Sequence, residues 1–95
     1  MDPIGKFYAV LDVLIREATG TTGNGIILAE NAIDEHLAFF SDDNRRTGAL
    51  HILETHLGRQ LQTASPIQGS FIQVVADYAE KKLREIKDRT IALDA

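Results

Sequence analysis

Residues 66–93 read PIQGSFIQVVADYAEKKLREIKDRTIAL, and apolar or small residues recur in them at alternating spacings of four and three. This spacing is typical of one face of a helix that packs along a neighbour in the manner of a coiled coil. We name this face the C-terminal seam, and it consists of Ile72, Ala76, Ala79, Leu83, Ile86, Thr90 and Leu93. A helix that begins at Pro66 would be roughly 40 Å long at about 1.5 Å per residue. The sequence therefore predicts a long C-terminal helix.

The second half of this helix, beyond Tyr78, carries the seam as its single apolar face. Before that point a second apolar face is present, at Ile67, Phe71, Val74, Val75 and Tyr78. After it, charged residues flank the seam, as in a coiled-coil helix with a solvated back. A second copy of the chain or another protein is the simplest cover for an unpartnered seam. We therefore expect a homodimer, with self-association contacts at Ile72, Ala79, Leu83, Ile86 and Leu93.

Three shorter segments with helical spacing of apolar residues precede the long helix. They run from Ile4 to Ala18, from Ile26 to Phe40 and from Ala49 to Leu61. Short connections between helices favour antiparallel neighbours. The sequence thus predicts one all-α domain over residues 1–95, a small antiparallel four-helix bundle with a long C-terminal helix. A compact bundle that absorbs all of its own apolar faces is the alternative to the dimer.

Residues at the three breaks predict where helices end and begin. Gly20 suits a left-handed cap after the first helix, and Asn24 suits the start of the second. The polar residues 41–44 suit the unsatisfied amides at the start of the third helix. Residues 65–68, Ser-Pro-Ile-Gln, match a capping box with proline at the first helical position. The fourth helix should therefore begin at Pro66.

The third helix contains two glycines in its interior. Gly48 and Gly58 each cost about 1 kcal/mol relative to alanine at such positions. They are explained if they allow a neighbouring helix to approach closely. The apolar side of the same helix is built from leucines, and we expect Ala49 and Ile52 to support it.

Composition excludes several classes of function. Fourteen acidic and ten basic side chains give a net charge of −4, which disfavours nonspecific attraction to nucleic acid or to an anionic membrane. The chain has no cysteine, so disulfides, thiolate zinc sites and cysteine nucleophiles are excluded. No run approaches transmembrane length, and the first residues lack the pattern of a secretory signal. We expect a cytoplasmic protein without membrane association.

Motifs for catalysis, cofactors and metals are missing from the sequence. The three histidines, His36, His51 and His56, form no His-Glu-x-x-His motif and no pair of Glu-x-x-His motifs. The glycine-rich break at residues 20–25 matches neither a P-loop nor a dinucleotide fingerprint. We therefore expect no enzyme activity, no cofactor and no metal. His36 and His56 should border the core, whereas His51 should face water.

These observations favour a small non-enzymatic protein–protein interaction module, a regulator, adaptor or inhibitor that acts through helical surfaces as a homodimer. The carboxylates Glu30, Asp34 and Glu35 on the second helix could guide a basic partner, and Phe39 lies close to them in the sequence. These four residues are the predicted partner contacts. A solvated helix surface explains the carboxylates equally well.

The alternative is a dimeric transcriptional regulator that binds nucleic acid. Arg45 and Arg46 open the third helix, where positive charge opposes the helix dipole. Lys81 and Arg84 belong to a second basic group on the last helix. These four residues are the predicted phosphate contacts under this hypothesis. The two aspartates immediately before Arg45 offer another explanation, a local cluster of salt bridges.

Overall fold

The computed structural model describes the backbone of residues 2–21 and 23–94 and the side chains of residues 2–21 and 23–90. The four helices are listed in chain order: α1 is Pro3–Arg16, α2 is Asn24–Ala38, α3 is Asp43–Gln62 and α4 is Pro66–Asp94. The described residues contain no β-strand. The predicted all-α fold is confirmed, and α4, with 29 residues, is indeed long.

Side-chain caps fix the start of three helices. In α1 and α3 the aspartate before the helix, Asp2 or Asp42, accepts a hydrogen bond from the third helical N–H at 2.7 or 2.8 Å. At α4 the N–H of Gln68 donates to Ser65 Oγ at 3.3 Å, and the N–H of Ser65 donates to Gln68 Oε1 at 3.1 Å. This reciprocal pair is the predicted capping box, and it places Pro66 at the first helical position.

The end of α1 differs from the prediction. The helix stops at Arg16, and its last turn tightens because the N–H of Ala18 donates to the carbonyl of Ile15 at 3.2 Å. Terminal carbonyls are therefore satisfied without a left-handed residue, and the predicted cap at Gly20 is wrong. Gly20 lies in the connection with φ +155°, and Gly23, with φ +99°, directly precedes α2.

The two glycines inside α3 do not serve close helix packing. A Cβ atom added at Gly48 or Gly58 would meet nothing within 4 Å. The structure therefore contradicts a role for them in close helix approach. A close approach occurs instead at Gly69 in α4, where an added Cβ would lie 3.4 Å from Leu61 Cδ1.

The helices form two antiparallel hairpins. In the α1–α2 hairpin the ring of Phe7 stacks on His36 with 4.0 Å between ring centroids. In the α3–α4 hairpin the start of α3 meets the end of α4, where Arg89 Nη2 donates to Asp43 Oδ1 at 3.1 Å. Gly69 and Leu61 hold the opposite end of the same hairpin together. Helices that follow each other in these hairpins are antiparallel, as predicted.

Two contacts across the hairpins, α1 with α3 and α2 with α4, join helices that run in the same direction, while α4 also contacts the oppositely directed α1. Ile4 at the start of α1 shares a groove with Ala49 in the first half of α3. About two turns further along each helix, Asp12 Oδ1 lies 2.8 Å from His56 Nε2. The antiparallel prediction therefore does not extend to α1 and α3. A short connection makes the two helices that it joins antiparallel. It does not determine which helices of different hairpins contact each other, or in which relative direction.

The second contact between hairpins joins α2 and α4, again in parallel. A Cβ atom on Gly25 would lie 3.3 Å from the ring of Phe71, and further along, the hydroxyl of Tyr78 donates to Asp34 Oδ1 at 2.8 Å. Because α4 also contacts α1, the second hairpin packs on the first mainly through α4. The shared core lies between the two hairpins.

Each helix contributes one apolar stripe to this core. The largest side chains with less than 2% exposure are Leu11, Ile33, Leu50, Leu53, Leu57, Phe71, Ile72 and Val75. Burial of a large aliphatic or aromatic side chain contributes about 1.5–3 kcal/mol relative to its exposed state. The stripe on α4 includes four residues of the C-terminal seam, Ile72, Ala79, Leu83 and Ile86, and the chain itself covers them.

Candidate interaction surfaces

The predicted self-association contacts lie inside the folded chain. Ile72, Ala79, Leu83 and Ile86 retain 0 to 6% of their exposure. Leu37 at the end of α2 and Arg46 at the start of α3 border Ile86, so the second half of α4 packs on the junction between those helices. Leu93 lies outside the residues whose side chains are described. An interface between copies needs another surface, because these four side chains are already covered.

The junction of α2 and α3 is held by one guanidinium group. Arg46 Nη2 donates to the carbonyl of Phe40 at 2.7 Å, and Arg46 Nε donates to the carbonyl of Leu37 at 3.0 Å. Arg46 Nη1 also donates to Asp43 Oδ1 at 2.8 Å. Hydrogen bonds from Arg89 and from Arg46 lower the pKa of Asp43. Arg46 therefore caps the last carbonyls of α2 and is not turned towards solvent as a phosphate contact.

The other predicted nucleic-acid contacts are spread over different sides of the bundle. Arg45 lies on the α1 side of α3, near Asp42 with 3.6 Å between the charged atoms. Lys81 is exposed on α4, and Arg84 Nη2 on the same helix donates to Glu80 at 2.8 Å. The structure does not bring these groups together with Arg46 into one basic surface. The local salt-bridge explanation accounts for Arg45, Arg46 and Arg84.

The predicted acidic partner contacts divide into two sets. Asp34 faces α4, where it accepts the hydrogen bond from Tyr78 and lies 3.6 Å from Lys82 Nζ. Burial and the bond to Asp34 together raise the pKa of Tyr78. Glu30 is half-buried on α2. Asp34 is thus a structural contact between hairpins.

Glu35 and Phe39 instead lie together on an exposed face. They line a groove of about 240 Å³ between α1 and α2, opposite Pro3, Lys6 and Val10. One further helical turn along each helix, Val13 and Leu28 continue the same side. We name this surface the α1–α2 face, and it consists of Pro3, Lys6, Val10, Val13, Leu28, Ala32, Glu35 and Phe39.

A second groove separates α1 from α3. These two helices meet through side chains, chiefly the Asp12–His56 pair and the rings of Tyr8 and His56, whose centroids are 4.8 Å apart. The opening beside them has two adjoining parts of about 280 and 530 Å³ that share Tyr8 and Ile52. We name it the α1–α3 groove, lined by Ile4, Tyr8, His36, Phe40, Arg45, Gly48, Ala49, His51, Ile52, Thr55, His56 and Arg59.

The smaller part of the α1–α3 groove is apolar, the larger part is lined mainly by polar side chains, and a basic group lies at each end. Its first part is walled almost wholly by carbon, and Ile52 at its rim is 63% exposed. Arg45 lies at one end and Arg59 at the other. Ile4, exposed on the α1 side of the smaller part, extends this apolar surface across the groove.

Sequence reasoning missed this groove for an identifiable reason. Ile52 was expected to support the apolar side of α3, but it points away from the leucines and towards the open side. The leucines of α3 follow a regular spacing of three and four, and Ile52 falls beside that stripe. This position beside the leucine stripe was the sequence signal that Ile52 faces a different side of α3. The groove itself depends on the distance between α1 and α3, which no local pattern contains.

The predicted placement of the histidines is confirmed. His36 is buried, His56 is half-buried and His51 is exposed. The His36 ring lies between both surfaces, stacked on Phe7 and edge-on to Phe40 with centroids 5.2 Å apart. Burial lowers the pKa of His36 from its ordinary value of 6.5, so the imidazole is neutral near pH 7.

This burial predicts a pH dependence of stability. Because the unfolded chain binds a proton on His36 more readily than the folded chain, the stabilisation is complete above about pH 6.5 and is lost as the pH falls below it. Between about pH 7 and pH 5 the free energy of unfolding should therefore fall more steeply with decreasing pH for the wild type than for His36→Leu. Urea denaturation at several pH values measures both slopes.

The exposed His51 supplies the control for that measurement. His51→Leu makes the same substitution at an exposed position. Equal slopes for the wild type and His36→Leu would contradict the prediction.

Within the described residues, no three histidine or carboxylate side chains come together as a metal site. None of the described helices has both the length and the apolar character needed to cross a membrane. The chain matches no protein-family model, no curated protein and no solved structure. Its own surfaces are therefore the basis for a functional proposal.

Proposed function

We propose that the protein is a small non-enzymatic interaction module, a regulator, adaptor or inhibitor, that binds an amphipathic helix of another protein in the α1–α3 groove. The observation that carries the proposal is the apolar part of this groove, with Ile52 exposed at its rim. Insertion of the apolar side of a helix into such a groove is a recurrent mode of peptide recognition.

The length of the groove suits a short helix. Its lining on α3 extends from Arg45 to Arg59, which corresponds to about 21 Å along the helix axis. A partner helix of three to four turns has this length. Apolar side chains at successive turns of that helix would pack between Ile4, Tyr8 and Ile52, where water now contacts them.

Gly48 supports the same proposal. This glycine lines the groove, and a Cβ atom at its position would meet nothing within 4 Å. A glycine inside a helix costs about 1 kcal/mol relative to alanine, and packing within the chain does not require this one. A partner that approaches the α3 backbone closely would explain it.

The charges around the groove favour an acidic partner. Arg45 and Arg59 lie at its ends and His51 along its side, while Asp42 offsets part of the charge of Arg45. Carboxylates near both ends of a partner helix would complement this arrangement, chiefly through selectivity and the rate of encounter. The net charge of the chain, −4, would repel acidic partners elsewhere on its surface.

A display library of amphipathic helices of about sixteen residues tests the proposal. Sequences selected on the wild type should be enriched in Asp and Glu near their ends. Their affinity should fall at least about tenfold on Ile52→Glu, because a carboxylate replaces the exposed isoleucine. Fluorescence anisotropy with a labelled selected peptide measures the dissociation constants.

Two variants control that measurement. Ile67→Glu changes an isoleucine of similar exposure, 52%, outside the groove and should bind like the wild type. Gly48→Leu fills the groove while raising helix propensity, so its weaker binding cannot result from unfolding. A library without binders, or binders that tolerate both Ile52→Glu and Gly48→Leu, would refute the groove as the docking site.

The nucleic-acid alternative has less support, since Arg46 is used within the fold. The homodimer remains a prediction from the sequence, and it requires a surface other than the C-terminal seam.

A further inference from the structure

Two stripes of side chains on the α1–α2 face share one spacing. On α1, steps of four and three residues join Lys6, Val10 and Val13, and Pro3 precedes them by one turn. On α2, steps of four, three and four residues give the second stripe, Leu28, Ala32, Glu35 and Phe39. Such steps keep side chains on one side of a helix. The groove between the two helices is bordered by the stripe members from Pro3 to Val10 and from Ala32 to Phe39. Val13 and Leu28 continue the two stripes by one turn beyond it.

The antiparallel register places the members of the two stripes at matching levels. Phe7 stacked on His36 fixes that register. Higher residue numbers on α1 therefore lie level with lower residue numbers on α2. The matching levels are Pro3 with Phe39, Lys6 with Glu35, Val10 with Ala32, and Val13 with Leu28.

Much of this face is apolar and exposed. Leu28 and Phe39 retain 53% and 55% of their exposure, and Val10 and Val13 retain 42% and 43%. These four are among the most exposed large apolar side chains of the described residues. Contiguous apolar patches on one side of a protein are typical of protein interfaces.

We propose that a second copy of this chain covers the α1–α2 face through a two-fold axis parallel to the helices. The axis lies in the interface, so that α1 of each copy faces α2 of the other copy. Because matching levels are preserved by this rotation, Lys6 of each copy meets Glu35 of the other. Val10 packs on Ala32, Val13 on Leu28, and Pro3 on Phe39 in the same way. The interface is isologous, as in most homodimers.

The charges are the reason to choose a second copy as the occupant. Lys6 and Glu35 border the groove from opposite helices, so the face carries one positive and one negative group at the same level. A two-fold rotation turns this arrangement into two complementary ion pairs, one on each side of the axis. The face is thus complementary to itself in charge as well as in apolar character. The dimer leaves the α1–α3 groove open and does not depend on what binds there.

Exchange of the charges tests the two-fold arrangement. Lys6→Glu homodimers would contain two Glu–Glu contacts, and Glu35→Lys homodimers two Lys–Lys contacts, so each variant should dimerise about tenfold more weakly than the wild type. A mixture of the two variants restores both pairs with opposite charges. The mixed dimer should form within about threefold of wild-type affinity. Sedimentation equilibrium at low salt, with the two variants separately labelled, measures each constant.

The apolar part of the interface has a matched pair of variants. Leu28→Glu should give a folded monomer of 10.5 kDa, because it places a carboxylate in the interface. Ile27→Glu alters the neighbouring residue, 57% exposed on another side of α2, and should remain dimeric. Circular dichroism of each variant establishes that it is folded.

Three outcomes would overturn the proposal. The first is a wild type that is monomeric at about 100 μM. The second is a dimer that Leu28→Glu leaves intact, since the interface would then lie elsewhere. The third is a mixture of Lys6→Glu and Glu35→Lys that dimerises no better than the separate variants. Peptide binding in the α1–α3 groove is tested separately, with Ile52→Glu, and its failure would not affect the dimer proposal.

Discussion

The Ile72→Asp variant should be largely unfolded at 25 °C. Ile72 is 1% exposed in the core, and an aspartate there would lose the buried apolar surface and place a carboxylate among apolar side chains. Loss of such a side chain costs about 2–5 kcal/mol, and burial of an unpaired polar or charged group costs several more. A domain of this size has about 5–15 kcal/mol of stability in total. Far-ultraviolet circular dichroism and urea denaturation measure the loss.

The matched control lies one turn earlier on the same helix. Ile67 is 52% exposed, and Ile67→Asp should change the free energy of unfolding by less than about 1 kcal/mol. A folded, monomeric Ile72→Asp protein of near wild-type stability would contradict the burial of the C-terminal seam. The seam would then be exposed and could form an interface between copies.

Removal of the guanidinium at the α2–α3 junction should have the second largest effect. Arg46→Ala removes the donor to the carbonyl of Phe40. It also removes one of two donors to the carbonyl of Leu37 and to Asp43 Oδ1, which keep the N–H of Phe40 and Arg89 Nη2 respectively. Hydrogen bonds that involve a charged group contribute about 1.5–3 kcal/mol each and are not additive. The free energy of unfolding should therefore fall by about 2–4 kcal/mol, measured by urea denaturation.

Arg45 is the natural control, since it is adjacent in the sequence and mostly exposed. Its side chain has 69% of its surface in solvent, and exposed ion pairs contribute about 0–1 kcal/mol. Arg45→Ala should thus have a small effect. Equal stability of the two variants would show that Arg46 is not a structural clamp, and the phosphate-contact hypothesis for it would regain support.

Features decided by neighbouring residues could be predicted from the sequence. The helix start at Pro66 and the Ser65–Gln68 capping box depend on atoms within three positions of each other. The placement of the three histidines followed from helical periodicity. Local chemistry likewise suggested the aspartates that compensate Arg45 and Arg46.

Features decided by packing between distant segments could not be predicted. The C-terminal seam was correctly identified as apolar, but the chain itself buries it from Ile72 to Ile86. At Ile86 the cover is the end of α2 and the start of α3, far away along the chain. Similarly, Glu35 and Asp34 are adjacent in the sequence yet face different surfaces, because one lies towards α1 and the other towards α4. Helical spacing gives the direction of a side chain and does not identify which helix lies in that direction.

The parallel pairing of the hairpins also bears on how the chain folds. The Asp12–His56 contact between α1 and α3 and the Asp34–Tyr78 contact between α2 and α4 each join residues 44 positions apart. Loop-closure entropy depends on the length of chain that is closed, so these contacts close loops of equal size. Once one contact between the hairpins has formed, the others add little further entropic cost. We therefore expect each helical hairpin to form from contacts that are local in the sequence and the two hairpins to dock cooperatively.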